Sequence, residues 1–125
     1  MREVVPASVR ELIRERVQAL EQLEILLLMH GEPKRIWSAD ELANQLQLGI
    51  VLVEAALAHL THHGFLAVEA GRYHYAPREA KERSAVDQLA RSYEASRPEV
   101  LALISSDAMG RVRRRMRQLR DRLKN

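Results

Sequence analysis

The sequence predicts a small, mainly α-helical domain that carries one β-hairpin. Its 125 residues match the length of a single domain, and only five of them are aromatic, so Leu, Ala and Val must fill most of the core. Most of the chain repeats apolar residues at steps of three and four, which is the period of an amphipathic helix. Two short segments of alternating hydropathy flank Ala70-Gly71, and this pattern is typical of a hairpin.

The N-terminal part of the chain predicts one long helix, from about Ser8 to Gly31. Gly31 and the nearby Pro33 form a helix stop. A helix of this length is expected to pack part of its apolar stripe on a partner helix or on a second subunit. Packing within the chain's own core is equally open at this point.

A short strand and two shorter helices are expected next. Lys34–Trp37 has the composition of a brief strand, and Ser38 with Glu41 forms the S-x-x-E capping box that opens a helix. We expect Gly49 to supply the following turn with a positive φ angle, because glycine carries no Cβ. The second helix is predicted from about Val51 to His63.

The hairpin and further helices complete the prediction. Its strands are expected at Phe65–Val68 and Arg72–Tyr75, and the helical period returns from Arg78 to about Ser105. Pro98 predicts a kink or a new helix start, and 105–110 is interpreted as a break. The last, basic helix carries an apolar seam of Val112, Met116, Leu119 and Leu123.

This order of elements resembles the winged-helix DNA-binding domains of bacterial transcription regulators. The segments WSADELANQLQLG, VEAALAHLTHHGFL and AVEAGRYHYAP carry the resemblance, and the flanking helices are more loosely similar to those of dimeric MarR-like or PadR-like regulators. The resemblance implies a winged helix-turn-helix flanked by long N- and C-terminal helices, with its core at about 34–77. We expect a domain over 1–110, followed by a basic helix or tail over 111–125. A homodimer that regulates transcription is the function that the resemblance implies.

The distribution of charge points to nucleic acid. Eight basic residues against Asp121 give 111–125 a net charge of +7, so the formal charge of +3 for the chain leaves −4 on 1–110. We therefore expect DNA to be held largely by the hairpin and the tail. A membrane-surface helix, or a helix whose seam packs on the body, are the alternatives for the tail. The candidate DNA-binding residues are Lys34, Arg35, Arg72, Arg111, Arg113, Arg114, Arg115 and Arg117.

The exposed face of the second helix favours a different function. In the resembling domains this helix enters the major groove, yet here it presents no basic side chain, and 31–78 carries a net charge of −1. The alternative is a protein–protein interaction module without a DNA-binding role. Its candidate patch comprises Ile50, Val51, Leu52, Glu54, Ala55 and Ala58.

Catalysis and metal binding are not predicted. His59 and His63 are spaced so that they could share a metal ion, but the only third ligand in prospect is His74, and a histidine-rich last helical turn is the simpler interpretation. No phosphate loop or nucleophile motif is present, so we expect neither an enzyme nor a cofactor. The lack of cysteine, of a signal peptide and of a long apolar run favours the cytoplasm.

Overall fold

The computed structural model describes residues 5–124, without the side chains of 107, 108, 111 and 124. Within this range the chain is mainly helical, as predicted, with one two-stranded antiparallel sheet. The elements in order are α1 (Ala7–Glu15), α2 (Leu20–Gly31), α3 (Ala39–Leu46), α4 (Ile50–His62), β1 (Leu66–Glu69), β2 (Arg72–Tyr75), α5 (Ala80–Ala95) and α6 (Arg97–Lys124).

The prediction of a single N-terminal helix is wrong, because α1 and α2 are separate helices. Ala19 is extended at φ −140° and ψ 153°, and Val17 is fully buried inside the break. The backbone N–H of Gln18 donates to Gln22 Oε1 at 2.8 Å. Because of the break, α1 packs on α5 and α6 while α2 packs on α4. A single straight helix would have to present both contact faces along one axis.

The capping box that opens α3 is confirmed. Ser38 Oγ accepts from the backbone N–H of Glu41, and the Glu41 carboxylate accepts from the backbone N–H of Ser38, both at 3.1 Å. These bonds hold the pKa of Glu41 below its usual value. The positive φ predicted at Gly49 is wrong: Gln47 has the positive φ, at 56°, whereas Gly49 has a φ of −65° and is the N-cap of α4.

Helix α4 and the hairpin agree with the sequence pattern. The inward side chains of α4 are buried, namely Val53, Ala56, Leu57 and Leu60. Ala70 and Gly71 both have positive φ, at 51° and 74°, which suits a tight two-residue hairpin turn. The strand expected at Lys34–Trp37 is reduced to one bridge, in which the backbones of Trp37 and Tyr73 exchange two hydrogen bonds of 2.7 and 2.8 Å.

The new helix start at Pro98 is confirmed, because Ser96 separates α5 from α6 and Pro98 is the second residue of α6. The break predicted at 105–110 is wrong, since α6 continues through it. One glycine in an exposed helix costs only about 1 kcal/mol, so Gly110 does not end the helix.

One core joins the elements. The buried residues of this core range from Val5 to Ile104. Its largest fully buried side chains include Trp37, Phe65, Ile13, Leu57 and Leu89. The last buried residue of α6 in the described range is Ile104. Among residues 5–124, no helix combines the length and the hydropathy needed to cross a membrane.

Candidate nucleic-acid interface

The C-terminal half of α6 extends away from the core. Residues 105–124 form this arm, which is about 30 Å long at 1.5 Å per residue. Its large apolar side chains are between 46% and 87% exposed. The seam therefore does not pack on the body, residues 5–104, and the alternative of a tail packed on the body is wrong. Met109 is also exposed and extends the predicted seam by one member, so from here on the seam comprises Met109, Val112, Met116, Leu119 and Leu123.

The arm carries the densest positive charge of the chain. Six of its arginines have described side chains, and all six are exposed. Among the described residues, none of these side chains forms an ion pair, and only that of Arg114 makes a hydrogen bond, from Nε to the Gly110 carbonyl at 3.4 Å. The six are Arg113, Arg114, Arg115, Arg117, Arg120 and Arg122, while the side chain of the predicted Arg111 lies outside the described part.

The other cations predicted to bind DNA differ in the contacts that their side chains already make. Arg72 is exposed at the start of β2, directly across the hairpin from Glu69. Lys34 is exposed in the loop before α3. Arg35 is already engaged, because its guanidinium lies 3.5 Å over the Trp37 ring and its nitrogens are 3.4 and 3.5 Å from two glutamates. These contacts lower the capacity of Arg35 to neutralise a phosphate.

The predicted patch on α4 is exposed as a whole. Val51, at 77%, is the most exposed of its large apolar residues, and Ile50 and Leu52 flank it. Glu54, Ala55 and Ala58 are exposed on the same helix. The side chains of this face therefore offer apolar contact and one carboxylate, and none of them could donate to a phosphate or bond bidentately to a base.

One histidine near the end of α4 bonds to the backbone just past the end of another helix. The Nε2–H of His59 donates to the carbonyl of Arg16, the residue that follows α1, at 2.6 Å. The rings of His59 and His63 are 4.4 Å apart. Burial, followed by the nearby His59, lowers the pKa of His63. Among the described residues, no group of three potential metal ligands includes them.

Sequence reasoning missed two polar side-chain contacts that join distant parts of the chain. Arg16 Nη1 donates to Glu82 Oε1 at 3.1 Å, and this bond lowers the pKa of Glu82. His30 Nε2 lies 2.8 Å from Asp87 Oδ1. No local pattern could have indicated them, because the partners are 66 and 57 residues apart in the chain.

Comparisons with protein families, with curated proteins and with solved structures found no match to this chain. The assignment of function therefore depends on the surfaces described above.

Proposed function

We propose that the chain is a winged helix-turn-helix protein that binds DNA, acts in transcription regulation in the cytoplasm and has no catalytic role. The order of its elements supports the proposal: α3 and α4 pack together, and the hairpin follows directly as the wing. By the same resemblance, the chain forms a homodimer through its flanking helices. One fold can serve several functions, so the charged surfaces of this chain carry the proposal.

The observation that carries the proposal is the set of exposed arginines on the arm, which have no acidic partner among the described residues. Residues 113–122 cover about 14 Å of helix. Duplex DNA carries one negative charge per about 1.7 Å, so it is a ligand of matching charge density. Arg72 on the wing and Lys34 add two exposed cations outside the arm.

The proposed mode of binding is largely independent of DNA sequence. Phosphate contacts orient a protein on the duplex, whereas base-edge contacts supply the specificity. The exposed face of α4 has neither Arg nor Lys, nor an amide side chain that could pair with adenine. Arg72→Gln should therefore weaken binding to all duplexes alike, and Ala58→Phe should change it little.

Fluorescence anisotropy of a labelled random duplex across about 50 to 200 mM salt tests the proposal. If the six described arginines each contact a phosphate, affinity should fall by about 10³-fold over this range. The variant Arg113→Gln/Arg114→Gln/Arg115→Gln should reduce the slope of log K against log salt by about 3.

The matched control removes the same charge from exposed positions on the body, in Arg10→Gln/Arg83→Gln/Arg91→Gln. This variant should retain most of the affinity and of the salt slope. Absence of binding at low salt, or equal losses in the two triple variants, would refute DNA binding by the arm.

A protein–protein interaction module is the second candidate, because Val51 and its apolar neighbours are exposed on α4, a helix that contains neither Arg nor Lys. Under this alternative, Val51→Ser/Leu52→Ser should abolish association with a partner or with a second copy, as measured by sedimentation velocity. The substitution conserves charge, so DNA affinity should be unchanged. A chain that neither associates nor responds to the substitution would argue against this candidate.

A further inference from the structure

The apolar seam of the arm follows the spacing of a coiled coil. Its members are separated by three, four, three and four residues. This is the a and d spacing of a heptad repeat, in which one helix packs against another. The seam residues are Met109, Met116 and Leu123 at a, with Val112 and Leu119 at d.

Arginine lines the seam on both sides. With Met109 at position a, Arg113 and Arg120 occupy e, whereas Arg115 and Arg122 occupy g. All four side chains are exposed and have no acidic partner among the described residues. The single acidic residue of the stretch, Asp121, is at position f on the far side. The seam and its flanks therefore form an apolar strip between two rows of positive charge.

A second copy of the arm is a poor partner for this strip. In a parallel pair, residue g of one helix faces residue e of the next heptad in the other, which sets Arg115 against Arg120. In an antiparallel pair, g faces g and e faces e, so arginine again faces arginine. Both orientations place like charges at the flanks, and like charges at these positions oppose pairing.

DNA alone would also leave part of this strip uncovered. Phosphates can neutralise the arginines, but they leave five large apolar side chains in water. A helical partner with Leu or Ile at a and d and Glu at e and g would bury the seam and pair each flanking arginine with a carboxylate. An isolated exposed helix is also marginal in water, so a partner helix would stabilise the arm.

We infer that the arm docks an acidic amphipathic helix of a partner protein, and that the two form a heterotypic coiled coil over residues 109–123. The inference goes beyond DNA binding and does not depend on it, because it requires the seam as well as the charges. The acidic helix would cover arginines that the proposed DNA-binding mode uses. Occupancy of the seam and binding of DNA by the arm would therefore compete.

The test uses the full chain and a labelled peptide of about four heptads with Leu at a and d and Glu at e and g. Two control peptides carry Lys at e and g, or Ser at a and d. The acidic apolar peptide should bind and raise the helicity in circular dichroism, and both controls should bind at least about tenfold more weakly. Equal binding of the serine peptide would overturn the inference, because charge alone would then explain the contact.

The matched variants separate the seam from the charges. Met116→Ser/Leu119→Ser should weaken peptide binding at least about tenfold and leave the salt slope of DNA binding unchanged. Arg114→Gln, on the far side at f, should leave peptide binding nearly unchanged. Both substitutions are at exposed positions, so the body should remain folded.

Two further outcomes would contradict the inference. Anionic phosphatidylserine vesicles that bind through Met116 and Leu119, while the acidic peptide does not bind, would assign the seam to a membrane surface. A homodimer that Met116→Ser/Leu119→Ser dissociates in sedimentation equilibrium would assign it to a second copy. Loss of DNA binding with peptide binding intact would refute the proposed function alone.

Discussion

Ending the chain at Gly110 should leave the stability of the body nearly unchanged. No described residue after Ile104 is buried, so the truncation removes no side chain from the core. Four apolar side chains of the seam are lost, but all of them are at least 46% exposed in the folded chain. Substitutions at surface sites of this kind usually change the free energy of unfolding by less than about 0.5 kcal/mol, and we expect the same of the truncation.

The comparison is Ile104→Ala in the full chain. This substitution removes a side chain that is only 5% exposed, so it should cost about 2 to 5 kcal/mol. Urea unfolding followed by far-ultraviolet circular dichroism measures both changes, and the native signal of the truncated chain should fall because α6 is shorter. A truncation as costly as Ile104→Ala, or one whose cost depends on protein concentration, would mean that the arm packs on the body or on a second copy.

Three local predictions concern the folded body. Ser38→Ala should lower the free energy of unfolding by about 1 kcal/mol, because it removes the side-chain oxygen of the capping box; urea unfolding that shows no loss would contradict this. Gly64→Ala should cost about 1 to 2 kcal/mol, because φ is +84° and the new Cβ would lie 3.4 Å from Arg78, whereas Gly31→Ala has open space and should be neutral or stabilising. The free energy of unfolding should decrease as the pH falls below about 6.5. The pKa of His63 is lowered in the folded chain, so in this pH range the unfolded chain binds a proton at His63 more readily than the folded chain does. His63→Gln should flatten that decline in thermal melts at several pH values, with His74→Gln as the control, because His74 is not among the groups that lower the pKa of His63.

Local chemistry made parts of the fold predictable. The capping box at Ser38 and the turn at Ala70-Gly71 depend on residues that are neighbours in the chain, so a short window of sequence contains the relevant interactions. The separation of α1 from α2 could not be found in this way. Both helices continue one periodic pattern, and only packing on different partners requires Val17 to turn inward between them.

In the candidate site, too, some features could be predicted from the sequence and others depend on tertiary packing. The distribution of charged residues along the sequence indicates the charge of the arm, and the period of α4 indicates which of its residues are exposed. The engagement of Arg35 depends on Trp37, which a bridge to Tyr73 holds in place, and no sequence window contains that geometry. The exposure of the seam also depends on where the core ends, which the heptad spacing does not reveal.

The arm and the body form an electrical dipole. With +7 on residues 111–125 and −4 on the remainder, the arm of one molecule is attracted to the body of the next. Contacts of this head-to-tail kind extend into chains of molecules unless the rotation between neighbours closes them into a ring. Solutions of low ionic strength should therefore turn cloudy near neutral pH and clear again when salt is added.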